Sequence, residues 1–218
     1  MRDTRDLSSD APAGKQGVGA RVPRKEDDRL MRGRGQFVAD IRLAGLQDVA
    51  FVRSPVAHAR IRAIHIPERY RDVVFTSADL AGIQPIRAVT GLPGFKISEQ
   101  PILATGKIRQ VGELVAMCVA ATRAEAEDIA ASVTLDLEEL PAVHDMRQAR
   151  EPGSPLVHEH WGDNVFLESF FEIDISSALD APIKVTREVS TSRQCLAPLG
   201  GRGVVATFVY RLVQLTLY

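Results

Sequence analysis

The clearest pattern of hydrophobic and polar positions lies over residues 111–143. It begins with a continuous apolar run over 114–121, which is too short to cross a membrane and has the length of a buried strand. Thr122 follows, three residues before Glu125, and this spacing is typical of a capping box, in which each side chain bonds a free N–H of the first helical turn. The alanine-rich residues that come next predict a helix.

A second strand is predicted directly after this helix. Apolar residues alternate there with polar ones, which is the two-residue period of a strand with one solvated face; the apolar positions are Val133, Leu135 and Leu137. Pro141 ends the strand, because proline has no N–H to donate to a ladder. The stretch therefore predicts a strand–helix–strand unit, with a right-handed crossover if its two strands pair in parallel.

Weaker patterns predict earlier strands over residues 49–53, 60–66 and 73–75. Alternation in the second of these is imperfect, since its large apolar residues are Ile61, Ile64 and Ile66. His65 falls between two isoleucines, and we interpret it as a solvated strand residue. The letters TSADLAG, residues 76–82, predict a capped helical turn closed by glycine.

The composition changes after Pro141. Residues 145–164 are polar and carry proline and glycine, which is typical of a domain boundary. Beyond them, apolar alternation predicts strands over 165–173, 183–191, 203–210 and 212–218. The chain is therefore predicted to be α+β, with a disordered tail over 1–20, a first domain over 21–145, a linker over 146–164 and a strand-rich segment over 165–218.

Composition excludes several classes of function. Hydrophobic residues make up 45% and charged residues 25% of the 218 positions, and the formal net charge is -1, so nothing favours a nucleic acid or an anionic membrane as partner. Cys118 lies in the apolar run and is interpreted as a core residue. Two cysteines cannot form a disulfide framework, which favours a reducing, cytoplasmic setting, and no signal peptide or membrane span is evident.

Two groups of residues could carry chemistry. His158 and His160 would share one side of a strand, but no third ligand has a suitable spacing, so a surface loop is favoured over a metal site. Gly201, Arg202 and Gly203 could cradle a phosphate with backbone N–H groups, although a plain turn between strands is the favoured interpretation.

The adjacent carboxylates Glu138 and Glu139 would point to opposite faces of a strand, so they are interpreted as solvated. No motif of nucleophile, metal-binding or nucleotide-binding type is present. The residues alone therefore assign no catalytic residue and no metal ligand.

Five phrases taken together resemble a known family. They are RGRGQFVADI at 32–41, AFVRSPVAHARI at 50–61, TSADL at 76–80, the stretch from 106 to 143, and RQCLAPLGGRGVVA at 193–206. In this order and spacing they resemble the start of the molybdenum-binding large subunit of the xanthine dehydrogenase, aldehyde oxidase and carbon monoxide dehydrogenase family. The resemblance runs from about Val18 to Tyr218.

The resemblance implies an α/β-hammerhead domain with a mixed sheet, followed by the truncated, strand-rich start of a molybdopterin-binding domain. Family members hydroxylate aldehydes and N-heterocycles, or oxidise carbon monoxide, with water as the oxygen source. The resemblance implies molybdopterin as the cofactor of the full enzyme, with 2Fe-2S clusters and FAD on partner subunits. It also implies an iron–sulfur small subunit, an FAD medium subunit and a chain that supplies the rest of the large subunit.

Two features depart from the family pattern. The chain is much shorter than a family large subunit, and the pterin loops, substrate channel and glutamate base would lie in sequence that it lacks. The family usually has glutamate where this chain has Gly200. No catalytic residue is therefore carried over, and only Gly201, Arg202 and Gly203 remain as candidates for contact with a cofactor.

Three hypotheses follow for function. The favoured one is a component or fragment of a molybdenum hydroxylase that is inactive alone. The second is a non-catalytic hammerhead module, either a remnant or a partner of an iron–sulfur subunit. The third is an unrelated small-ligand protein that uses His158 and His160.

Overall fold

A computed structural model of the chain describes residues 18, 20, 24–180, 182–192, 194, 197 and 201–218. Most of the predicted tail over 1–20 therefore lies outside the described residues. Close backbone contacts divide the chain into two units, one of residues 44–189 and one that joins the described residues before 44 to those from 190 onward.

The described residues contain short helices and strands. The helices are α1 (Asp27–Met31), α2 (Arg123–Ser132) and α3 (Ser176–Leu179). The strands are β1 (Asp48–Arg53), β2 (Ala59–His65), β3 (Val74–Phe75), β4 (Ile86–Arg87), β5 (Glu99–Gln100), β6 (Lys107–Ile108), β7 (Leu114–Ala120), β8 (Thr134–Glu139), β9 (Ala206–Val209) and β10 (Gln214–Leu217). The strands predicted over 49–53, 60–66 and 73–75 are thus confirmed within a residue or two, as is the strand–helix–strand unit.

Residues 44–189 contain two three-stranded sheets and the two-stranded sheet β4-β5. One three-stranded sheet has the order β1-β7-β3 and the other β6-β2-β8. The α+β class is confirmed, but each strand pair among the described residues is antiparallel, so the expected mixed pairing is not seen there. Strands β7 and β8 lie in different sheets and do not pair with each other. The right-handed crossover that was predicted for a parallel pair therefore does not apply.

Helix α2 packs on the first sheet through its small apolar face. Ala126 and Ile129 are buried in the same cluster as residues of β1, β3 and β7. The Oγ1 atom of Thr122 accepts a hydrogen bond from the Glu125 backbone N at 3.3 Å. The predicted helix start at Thr122 is therefore confirmed, with the threonine side chain bonding the helix amide.

Replacing Thr122 with alanine should lower the free energy of unfolding by about 1 kcal/mol, because the helix loses the acceptor for one of its free amides. Urea titration followed by circular dichroism measures the change. The control is Thr191→Ala, at an exposed residue of an irregular segment, which should change stability by less than about 0.5 kcal/mol. Equal effects of the two substitutions would contradict the capping role.

Strand β2 contains a bulge that accounts for its imperfect sequence pattern. Ile61 pairs with Leu137 and Ala63 pairs with Asp136, which leaves Arg62 as an extra residue in the ladder. A bulge adds one residue to one strand and shifts the side on which later side chains fall. The residues packed around the second buried cluster accordingly include Val56, Ile61, Ile64, Leu135 and Leu137. His65 is exposed, as predicted.

The C-terminal strand predictions are confirmed only in part. Strands β9 and β10 pair antiparallel around a turn in which Val213 adopts a φ of 50°. The strands predicted over 165–173 and 183–191 are wrong: the backbone is irregular in both segments. Alternating apolar residues do not suffice for a strand, because the backbone N–H and C=O groups also need a neighbouring strand to pair with.

The helices of the described residues are all short. Among these residues, none forms a helix with the length and apolar character that a membrane crossing requires.

Candidate functional site

The candidate cofactor contact falls on the segment just before β9. Gly201, Arg202 and Gly203 are all exposed there. A Cβ atom added to Gly203 would lie 3.1 Å from the Val38 side chain. This close approach is one reason for a glycine at position 203. The preceding residues 198–200, including Gly200, lie outside the described residues. The assignment of residues 201–203 to a cofactor therefore stays a prediction.

Within the described residues, no buried polar group is found around these three residues that would form a pterin site. Among the described residues, the buried polar atoms without a partner that would mark such a site belong to His58 and Arg109, both within residues 44–189. Arg202 is exposed rather than buried towards a ligand. We therefore derive no chemistry through these residues.

The two histidines lie in a short turn rather than on a strand. His158 precedes a 3-10 turn over Glu159–Trp161, and the centroids of the His158 and His160 rings are 5.9 Å apart. His158 stacks on the Trp161 ring at 4.2 Å between centroids. Within the part of the chain that the structure describes, no group of three or more histidine, cysteine or acidic residues is placed to hold a metal ion.

The charge environment of His158 disfavours its protonated form. Partial burial lowers the pKa of His158 below its usual value, and the nearby positive charges of Arg109, His160 and Lys107 lower it further. The imidazole is therefore neutral at neutral pH, and its stacking on Trp161 is an apolar contact rather than a cation–π one.

Glu159 forms an ion pair that the sequence did not reveal. Its Oε1 atom lies 2.6 Å from Nζ of Lys107, a buried residue of β6. This hydrogen bond is the main reason that the pKa of Glu159 falls to about 2. Because the folded-state pKa lies below the unfolded one, the pair stabilises the fold above about pH 5 and loses that effect as the pH falls towards 2. No local signal could have identified it, since the partners are far apart in sequence.

The remaining candidates have structural roles. Glu138 forms an ion pair with Arg62, whereas the neighbouring Glu139 is exposed. Cys118 is 0% exposed in the centre of the first sheet, which confirms its prediction as a core residue. Burial raises the pKa of its thiol, and a protonated thiol is a poor nucleophile.

Sequence reasoning also missed two buried polar residues. Nδ1 of His58 donates a hydrogen bond to the Pro141 carbonyl oxygen at 2.7 Å and ties the end of β8 to the connector before β2. Glu113 accepts a hydrogen bond from the Arg109 backbone N at 2.5 Å and closes the turn between β6 and β7. Both residues lie within the family-like phrases, and both hold turns in place.

Comparison with known proteins defines the class of this fold. Residues 32–141 match the family model described as the α/β-hammerhead domain of aldehyde oxidase and xanthine dehydrogenase. The chain belongs to the aldehyde oxidase and xanthine dehydrogenase family. The resemblance seen in the five phrases is thereby confirmed.

Individual relatives match beyond the hammerhead. The chain is 38% identical over 199 residues to the large subunit of nicotine 6-hydroxylase from Paenarthrobacter nicotinovorans, and this match covers 83% of the chain. It is 34% identical over 151 residues to the carbon monoxide dehydrogenase large chain of Afipia carboxidovorans, covering 69% of the chain. The crystal structure of quinoline 2-oxidoreductase from Pseudomonas putida 86 superposes with a TM-score of 0.82 at 36% identity and covers 90% of the chain.

The chain matches only a part of each of these proteins. It spans 24% of the nicotine 6-hydroxylase subunit, 18% of the carbon monoxide dehydrogenase chain and 26% of the quinoline 2-oxidoreductase chain. Fold and family are thus shown for the matched region, while the activity of the whole relatives belongs to proteins about four times as long.

Proposed function

We propose that this chain forms the hammerhead portion, and the segment that follows it, of the large subunit of a molybdenum hydroxylase. The observation that carries the proposal is the match to such a subunit over 199 residues, which covers 83% of the chain and so extends past the hammerhead. In this proposal the chain is a scaffold and has no activity alone. The remainder of the large subunit comes from another polypeptide segment.

Exposed apolar side chains after the hammerhead support this proposal. The side chains of Phe170 and Phe171 are 82% and 87% exposed, and those of Ile183 and Val189 are exposed to a similar extent. These four large apolar side chains, all exposed within residues 170–189, are what a contact region would present. Because these residues lie in segments with a strand-like sequence but no strand pairing, we propose that further strands of the same subunit cover them.

The proposed substrates are those of the family: aldehydes, N-heterocycles or carbon monoxide, with water as the oxygen source. A bound molybdenum cofactor would supply the centre that accepts electrons from the substrate. We place that cofactor in the remainder of the subunit, the 2Fe-2S clusters and FAD on small and medium partner subunits, and the assembly in the cytoplasm. The few cysteines support the last of these points.

Co-production with a complementary chain tests the proposal. The tagged chain would be made together with the remainder of the nicotine 6-hydroxylase large subunit and its partner subunits, in cells that synthesise the molybdenum cofactor. We expect a complex to co-purify and to contain molybdenum, measured by elemental analysis. A complete complex that contains no molybdenum would overturn the proposal.

A pair of neighbouring substitutions tests the contact surface. Phe171→Asp should reduce recovery of the complex by about tenfold or more, because a carboxylate would enter an apolar contact. Glu172→Gln, at the next and also exposed residue, should leave recovery unchanged.

A second function is supported by the hammerhead itself. Both buried clusters lie within residues 50–133, so this part has a core of its own. As a non-catalytic module it would bind an iron–sulfur subunit without the rest of the large subunit. In the same experiment this alternative predicts recovery of the iron–sulfur subunit alone, with no molybdenum and no effect of Phe171→Asp.

A further inference from the structure

Lys107 places a buried ammonium group against a segment about fifty residues further along the chain. Its side chain is 9% exposed. Nζ donates hydrogen bonds to the carbonyl oxygens of Leu156 and Val157, at 3.1 and 3.2 Å, and to Oε1 of Glu159 at 2.6 Å. An ammonium has three protons, so all of its donors are used. Without these partners the charge would be buried and uncompensated.

A second lysine holds the same segment a few residues later. Nζ of Lys96 lies 2.5 Å from Oδ1 of Asp163 and 3.3 Å from the Trp161 carbonyl oxygen. The Lys96 backbone N donates to the Phe166 carbonyl oxygen at 2.8 Å. The Phe166 ring meets that of Phe95 edge to face, with centroids 6.1 Å apart. The segment therefore has two separate anchors on the hammerhead.

The segment keeps its shape through side chains rather than through a helix or strand ladder. Asn164 accepts a hydrogen bond from the Val157 N at 3.0 Å and donates to the carbonyl oxygens of Ala149 and Pro155, at 3.1 and 2.9 Å. Its regular structure is the 3-10 turn over Glu159–Trp161. A segment of this kind opens easily when its anchors are lost, because few backbone hydrogen bonds resist opening.

We propose that residues 155–166 are a strap latched onto the hammerhead, with Lys107 as the latch, and that this strap fixes where the following chain leaves the domain. The strap crosses the region that the sequence pattern predicts to be a linker. A flexible linker would leave the direction of the following chain free, whereas a latched strap sets the point at which that chain leaves the domain. The inference does not depend on the proposed enzyme, since it concerns contacts within residues 44–189.

The only tryptophan of the chain lies in the strap, so its fluorescence reports the latch directly. In Lys107→Met the stem keeps its packing while the three donated hydrogen bonds are lost. We expect the ratio of latched to released strap to fall by about tenfold or more, the size expected for loss of charge-assisted hydrogen bonds. Trp161 emission should move to longer wavelength, and amide exchange over 155–159 should accelerate by the same factor.

Amide exchange in the hammerhead core distinguishes a residue that latches the strap from one that supports the whole domain. Amides of β7 should keep their protection in Lys107→Met, and Lys184→Met, at an exposed lysine outside the strap, should change neither region. The proposal is overturned if the strap amides of Lys107→Met exchange at the rate of the unsubstituted protein. It is equally overturned if β7 loses protection to the same extent, because Lys107 would then support the whole domain.

A second substitution keeps the test decisive if Lys107→Met does not fold. Lys96 is only partly buried, so Lys96→Met removes the side-chain bonds of the second anchor without leaving a buried charge site, while the Lys96 backbone bond to Phe166 stays. We expect faster exchange confined to residues 161–166, with residues 155–159 still protected by Lys107. Unchanged exchange over 161–166, or equal acceleration over both halves, would contradict two independent anchors.

Discussion

Replacing Ile108 with alanine should lower the free energy of unfolding by about 2–5 kcal/mol, the range seen when a large aliphatic residue is removed from a packed core. Ile108 is 0% exposed and packs with Ala59, Ala104 and Val115 in the cluster beneath the second sheet. The other buried residues of the cluster are alanine and valine, which are too small to fill the space that alanine leaves at position 108. This loss would be a large part of the stability of an ordinary domain.

Urea unfolding followed by circular dichroism measures this change. The matched control is Ile83→Ala, because Ile83 is 60% exposed and its side chain has little contact to lose. The control should change stability by less than about 0.5 kcal/mol. If Ile108→Ala were as mild as the control, the second cluster would not be part of the cooperative core.

The thiol of Cys118 should react with a thiol reagent at least about a thousandfold more slowly in the native protein than in urea, since reaction requires an opening of the core. Cys118 lies on the central strand of the first sheet and pairs with Ala50 on one side and Val74 on the other. Burial also raises the pKa of the thiol, which lowers the fraction of reactive thiolate. Both effects act in the same direction.

The variant Cys195→Ser leaves Cys118 as the single thiol, so the reaction with Ellman's reagent can be followed without competition. The rate in concentrated urea serves as the reference for the unprotected thiol. A native rate within tenfold of that reference would show that the first sheet opens readily. In that case the cluster around Cys118 would not be a stable core.

The elements that could be predicted from the sequence are those with a local cause. Helix α2 and its start at Thr122 depend on neighbouring residues, and both were predicted correctly. The imperfect alternation of β2 was visible, but its cause was not, because a bulge is defined by the register with β8. The predicted strands over 165–173 and 183–191 failed for a related reason, since no pattern in one segment shows whether a partner strand exists.

The interactions around Lys107 could not be predicted at all. Its three acceptors are 49 to 52 residues away, and two of them are backbone carbonyls, which carry no sequence signature. His158 and His160 attracted attention as possible metal ligands, whereas in the structure His158 stacks on Trp161 and the intervening Glu159 pairs with Lys107. The family was recognisable because its phrases keep their order and spacing, not because any of these residues performs chemistry.

The bulge at Arg62 has a consequence for comparing this chain with its relatives. Deletion of Arg62 would leave Ile61 opposite Leu137 and Ala63 opposite Asp136, as they are now, and would cost mainly the ion pair with Glu138. Strands rarely tolerate a missing residue, because every later side chain then turns to the other face. In β2, a one-residue gap in an alignment would be physically reasonable at this single position, and relatives that differ in length there would still share the same core.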